Sequence, residues 1–242
     1  TAPVMTPKLS SYWLYFVTST SYKLAINLVD SMKMEVVAKD NRLQKILNIK
    51  PHTYVEAIEM AFIKIEQNMV LSSWKDSMAS GRFNKNLKKY IQVPKYGVLK
   101  DEKKIKVENP ERVLNNIWKI GGENGWYYGN WMWKIRGFLD KLVGGVGLRR
   151  GRTHPDKIFT GDSLDFWRVL LADKAGKRLL LFAEMRLPGE AWLEFKIDEN
   201  NILSQTATFR PRGLWGRLYW YSLVPFHFFI FGGMIKNIAA SQ

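Results

Sequence analysis

The chain has 242 residues, enough for one large domain or two modest ones. It contains no cysteine, which excludes a disulfide framework, a thiolate metal site and cysteine catalysis, and fits a reducing compartment. Lys and Arg number 37 against 22 Asp and Glu, a net charge of +15 that favours anionic partners without choosing among phosphate, nucleic acid and membrane.

The basic excess runs over the whole length: residues 1–94 carry 13 basic and 7 acidic side chains, residues 95–242 carry 24 and 15. A dedicated nucleic-acid arm is therefore not expected. All 18 glycines lie at or after Gly81. A Rossmann unit needs a glycine-rich turn where backbone amides approach the pyrophosphate, so residues 1–80 cannot supply one. The chain starts at Thr1 without an apolar leader and reads as a piece whose natural beginning lies upstream.

In chain order, Leu24, Leu28, Val29 and Met32 form a helical apolar stripe, and Asp40–Asn41 reads as a turn. A second stripe, Tyr54, Ile58, Ala61, Phe62 and Ile65, follows Pro51 with Thr53 and Glu56 spaced as a capping box. Residues 71–94 are a polar, basic connector with some helix in it. Gly97 to Glu108 reads as an exposed strand and Pro110 to Ile120 as a short helix with Pro at its first position. Asn130 to Val143 is an amphipathic helix with Trp131, Ile135, Phe138, Leu139 and Leu142 on its apolar side, closed by Gly144–Gly145.

Four strand-like runs come next: Leu164–Leu171, Arg178–Arg186, Ala191–Ile197 and Leu203–Arg210. Turn chemistry at Lys174-Ala175-Gly176, Pro188-Gly189 and Glu199-Asn200-Asn201 joins them into an antiparallel meander. From Leu214 an aromatic-rich helix runs almost to the C-terminus. The expected fold is α+β, a curved sheet wrapped on one long helix. A sheet cannot close fully on one helix, and the gap becomes an apolar pocket.

Several motifs in order carry a resemblance. They are Gly144-Gly145-Val146-Gly147-Leu148-Arg149-Arg150-Gly151-Arg152, Gly161-Asp162-Ser163-Leu164-Asp165-Phe166-Trp167-Arg168, Glu184 to Phe195 and Gln205 to Tyr221. Together they resemble a bacterial domain-of-unknown-function family with a START-like, polyketide-cyclase-like helix-grip fold, typically fused behind an atypical short-chain dehydrogenase/reductase. Residues Pro3 to Thr18 and Glu35 to Ala57 resemble the tail of such a reductase. The resemblance implies residues 1–70 as the helical end of a substrate lobe, 71–94 as connector and 95–242 as the START-like domain. It implies no cofactor in this chain; NAD(P) belongs only to a full-length form.

The candidate chemistry divides among pocket, anion cradle and membrane face. Pocket candidates are Trp167, Trp192, Phe195, Phe209, Tyr219, Tyr221 and His227, with Asp165, Arg168, Glu184 and Arg210 as polar anchors. The competing arrangement for those charges is cross-strand ion pairing on the sheet's outer face. The loop residues Arg149, Arg150 and Arg152 could hold an anion, or could simply form a solvated basic face after a helix C-cap. His52, His154 and His227 are too scattered for a metal site or a hydrolase triad. Trp126, Tyr127, Tyr128, Trp131 and Trp133 suit core packing or a pocket rim better than nucleic-acid stacking.

Leu218–Ile235 is 18 residues without a charge, at the threshold for a membrane span. Pro225, His227, Ser222 and Gly232–Gly233 favour a core helix instead. The flanking Arg210, Arg212, Arg217 and Lys236 suit contact with anionic lipid. The expected function is binding of a small apolar or amphipathic ligand, accessory to a reductase in the full-length protein. Cyclase- or dehydratase-like acid–base chemistry and a purely structural module are the alternatives. The expected location is cytoplasmic, peripheral to membrane, with no nucleic-acid partner.

Overall fold

A computed structural model describes residues 7–18, 22–37, 40, 42–66, 88–147, 151–152, 154 and 157–241. Most of the connector, Asn41, Arg149 and Arg150 lie outside the described residues. The chain divides into two compact units, residues 1–73 and 74–242.

The first unit is helical: α1 (Pro7–Val17), α2 (Tyr22–Ser31), α3 (Arg42–Leu47) and α4 (Tyr54–Glu66). The α4 start is a capping box, with the Glu56 amide donating to Thr53 Oγ1 at 3.3 Å and the Thr53 amide donating to Glu56 Oε2 at 2.8 Å. Tyr12 of α1 stacks on Tyr22 of α2 at 4.7 Å between ring centroids. The apolar stripes meet no core among the unit's described residues. Among its described residues only Ser11 and Ala25 are buried, while Leu28, Met32, Tyr54 and Phe62 are exposed.

The second unit holds a six-stranded, open antiparallel sheet. Its elements are α5 (Lys88–Ile91), β1 (Leu99–Lys106), α6 (Pro110–Trp118), a 3-10 turn (Gly122–Asn124), α7 (Asn130–Leu142), β2 (Ser163–Leu164), β3 (Trp167–Asp173), β4 (Arg178–Ala183), β5 (Gly189–Ile197), β6 (Ile202–Pro211) and α8 (Gly213–Ala240). The strand order is β1-β6-β5-β4-β3-β2, so the last five strands form the expected meander and β1 adds to its far edge. The expected strand Leu164–Leu171 is broken instead, because Asp165 takes φ 51° and folds β2 back on β3.

Alternation sends Leu193, Phe195 and Ile197 of β5 inward, with Leu179 and Leu181 of β4, toward α6, α7 and α8. Leu170, Leu180, Phe182 and Trp192 point outward, where Tyr90 and Ile91 of α5 pack on them. The inner cluster is the main core. It is tied to α8 by Phe209 of β6 stacking on Trp220, 5.6 Å apart at 9°.

Two helices depart from their expected faces. In α7 the stripe Trp131, Ile135, Phe138, Leu139 and Leu142 is exposed, and Trp133, Gly137, Asp140 and Lys141 are buried. The reason is a tertiary contact. Asp140 Oδ2 accepts the Gly147 amide at 3.0 Å and Oδ1 accepts the Arg186 amide at 2.8 Å, which pins that side of the helix inward. Trp133 then packs on Trp126 at 5.2 Å.

α8 is apolar all round, yet it buries only a stripe containing Gly216, Trp220, Phe231, Met234, Ile235 and Ile238. Gly216 is required there, since a Cβ would strike the Pro188 carbonyl and the Pro211 ring. Phe226, Phe228 and Phe229 remain exposed. By length and composition alone, this helix is long and apolar enough to cross a membrane.

Candidate ligand cavity

Between α7, α8 and the inner face of the sheet lies a cavity of about 330 Å³. Two small residues on neighbouring strands border it: Ala191 of β5, paired with Phe209, and Ala207 of β6, paired with Leu193. α7 supplies Trp131, Trp133, Ile135, Arg136 and Leu139 to the walls, and α8 supplies Tyr219, Trp220, Leu223, His227 and Phe231. Trp167, Met185 and Leu187 close the sheet side.

Few polar groups interrupt this lining. The His227 imidazole sits between Trp220 and Phe231, 4.9 Å from each ring centroid. Burial pulls its pKa down to about 4, with Arg136 and Lys103 pushing the same way and Asp101 opposing them. It is therefore neutral at pH 7, and its buried Nδ1 has no hydrogen-bond partner among the described residues. The buried Trp167 Nε1 also lacks one. The Arg136 guanidinium lies over the Tyr219 ring, 5.4 Å from its centroid. Burial raises the Tyr219 phenol above its ordinary value, and the Arg136 charge works against that rise.

Among the pocket candidates, Trp167, Phe209, Tyr219 and His227 come together around this space. Trp192 borders it, but its ring belongs to the outer cluster, where Nε1 donates to the Tyr90 carbonyl at 3.0 Å. Phe195 is buried in the core away from the lining, and Tyr221 is exposed on α8.

The four polar anchors are elsewhere. Arg168 donates to Glu184 at 2.9 and 3.2 Å on the outer face, both side chains essentially inaccessible. Arg210 pairs with Glu190 and lies 5.9 Å from the Trp192 ring centroid. Asp165 is buried at the β2–β3 turn, accepting the Trp126 indole N–H at 2.8 Å. Burial raises its pKa to about 6, against the lowering by Trp126, backbone amides and Arg152.

Arg152 is engaged as well. It donates to the carbonyls of Ile120 at 2.6 Å, Trp118 at 2.9 Å and His154 at 2.9 Å, so it caps the C-terminal end of α6 rather than an external anion.

The residue that sequence reasoning passed over is Arg136. Helical spacing places Met132, Arg136 and Leu139 on one stripe, and a lone cation in an apolar stripe was the available signal. Among the described residues no cluster of His, Asp and Glu could hold a metal ion.

An α+β domain with an open antiparallel sheet, a long packed helix and one mainly apolar cavity is thus defined. Residues 96–234 match the model of a family described as a protein of unknown function (DUF2867), and the chain belongs to that family. The match takes in the sheet, α7, most of α8 and every residue lining the cavity. No curated protein and no solved structure matches the chain.

Proposed function

We propose that the second unit is a START-like, helix-grip domain that binds a small apolar or amphipathic molecule in the α7–α8 cavity. The supporting observation is the cavity's combination of an apolar lining with two buried, unpartnered polar atoms, Trp167 Nε1 and His227 Nδ1. An unpaired buried donor or acceptor costs about 1–3 kcal/mol, and a ligand group that pairs it recovers part of that cost. Its volume leaves room for roughly ten or more water-sized groups.

Acid–base catalysis has less support, because no carboxylate lines the cavity and His227 is a neutral imidazole with no charged partner in hydrogen-bond reach. In a longer protein the bound molecule would be presented to a reductase half. The first unit fits such a role, since its described helices bury almost nothing among themselves and suit completion by another lobe.

Nile red binding to the wild type and to Leu223→Trp tests the cavity. Filling the space with indole should weaken the dye about tenfold, and native mass spectrometry should show a co-purified small molecule on the wild type alone. Wild-type protein that binds no dye and carries nothing across several preparations would sink the reading.

A second reading is favoured by the exposed residues at the mouth. Trp131, Ile135, Leu139 and Phe226 both line the cavity and face solvent. The exposed charges of α7 and α8 are all basic, since Asp140 is buried. That combination suits docking on an anionic bilayer, from which the cavity would be filled. Cosedimentation with phosphatidylglycerol vesicles, lost for Trp131→Ser with Phe229→Ser, is the expected result. Absence of wild-type binding at low salt refutes it, and concentration-dependent dimers instead would assign the face to a second copy.

A further inference from the structure

Among the described residues that line the cavity, Arg136 alone carries a formal charge. It forms no ion pair among the described residues, unlike Arg168, Arg178 and Arg210 on the outer face. The acids that could neutralise it are committed elsewhere. Asp140, one turn along α7, spends its two oxygens on the amides of Gly147 and Arg186. Asp101, whose charge reaches His227, is paired with Lys103 at 2.8 Å. α8 contains no acidic residue at all.

The guanidinium is also held in place. It stands over the Tyr219 ring, 5.4 Å from the centroid, so one face of the planar fork rests on the aromatic while its N–H groups stay at hand for a planar or tetrahedral anion. A half-buried cation against apolar walls is costly until an anion meets it. A carboxylate can take two parallel bonds from one guanidinium, which a hydroxyl or an amine cannot do.

We propose that the cavity selects a single-chain amphiphile with an anionic head, the head held by Arg136 beside Tyr219 and the chain lying against Ala207, Phe209 and Trp220. This rests on the cavity being a ligand site and adds the charge of what enters it. Neutral amphiphiles of the same length bind through the tail alone. Cationic ones are repelled by Arg136, with Lys103 adding to the positive field.

Calorimetric titration of the full chain with decanoate, 1-decanol and decylamine, all below their micellar concentrations, separates the two levels. Decanoate should bind at least about tenfold tighter than decanol, with decylamine weakest. Arg136→Gln should bring decanoate down to decanol while decanol changes less than about twofold, and Arg136→Lys should keep part of the preference. Equal wild-type affinities for decanoate and decanol would overturn the anionic head and leave the cavity standing. If none of the three binds, the cavity reading fails and takes this one with it.

Discussion

Each side of the sheet has a buried tryptophan and an arginine, Arg168 buried on the outer face and Arg136 of α7 half-buried on the inner side, and the two sides treat them differently. On the outer face Trp192 donates to the Tyr90 carbonyl at 3.0 Å, and Arg168 grips Glu184 through two bonds and the Gly161 carbonyl through a third. On the inner face the Trp167 N–H has no partner, and Arg136 has no counter-charge among the described residues. Folding stability explains the first arrangement. It does not account for the second, which leaves the buried Trp167 donor unpaired and the half-buried Arg136 without a counter-charge among the described residues, both bordering the space between α7, α8 and the strands. Under the function proposed above, a bound molecule would complete the inner side.

The sharpest way to break this contrast is to unpair the outer face. Glu184→Ala leaves the Arg168 guanidinium buried without its partner, and should cost about 3–5 kcal/mol in urea denaturation. Arg136→Ala, removing a cation with no ion-pair partner among the described residues, should cost under about 1 kcal/mol, chiefly through lost packing of its stem. Comparable losses for the two would show that Arg136 belongs to the scaffold as much as Arg168 does.

The pH dependence of stability probes the same contrast through His227 of the cavity and Asp165 of the β2–β3 turn. His227, ordinarily near 6.5, is held to about 4, so the unfolded chain takes up a proton first and stability falls as pH drops from about 6.5 to 4. Asp165, ordinarily near 3.8, is raised to about 6, so the folded protein keeps a proton that the unfolded chain has lost. Its contribution is full below about 4 and disappears as pH rises to about 6. Each is worth roughly 2–3 kcal/mol, with opposite signs in one window, and they nearly cancel in the wild type.

His227→Phe should therefore lose stability as pH rises from about 4 to 6, and Asp165→Asn should gain it over about 4 to 6.5. The urea midpoint measured across that range decides. Both variants tracking the wild type would mean that neither group is buried as described. A bound anionic amphiphile would sharpen the case further, by lowering the cavity's positive potential and moving His227 upward.

Which parts of this were legible from sequence follows from the range of each interaction. The capping box of Thr53 and Glu56 is local and reads directly, whereas Trp192 was expected in the pocket and lies in the outer cluster, because which face of β5 meets the helices is set by packing and not by alternation. The helix Asn130–Leu142 was legible in extent but not in orientation. It carries apolar residues on two sides, and the choice between them is made by Asp140 reaching amides at 147 and 186, a contact that no local pattern contains. Arg168 and Glu184 are likewise joined across strands, so their chemistry as a pair could be named only as one of two arrangements. Asp165 left the expected strand because its positive φ makes a turn there, where the residue pattern alone read as continuous strand.

The smallest effect is also the most direct comparison of the two faces. Trp192→Phe removes an indole whose N–H is paired and leaves the Tyr90 carbonyl without its donor, adding about 1–3 kcal/mol to the loss of ring volume. Trp167→Phe loses a similar volume but no bond, and it deletes an unpaired donor that was already costing stability. Urea denaturation should then find Trp167→Phe milder by about 1 kcal/mol or more. Saturating decanoate or decanol ought to reverse that order if the bound molecule accepts a hydrogen bond from Trp167, because the wild type then has an interaction the variant cannot make. If the two variants are equally destabilised with and without ligand, the unpaired indole is an ordinary core residue. The cavity's selectivity would then have to come from Arg136 alone.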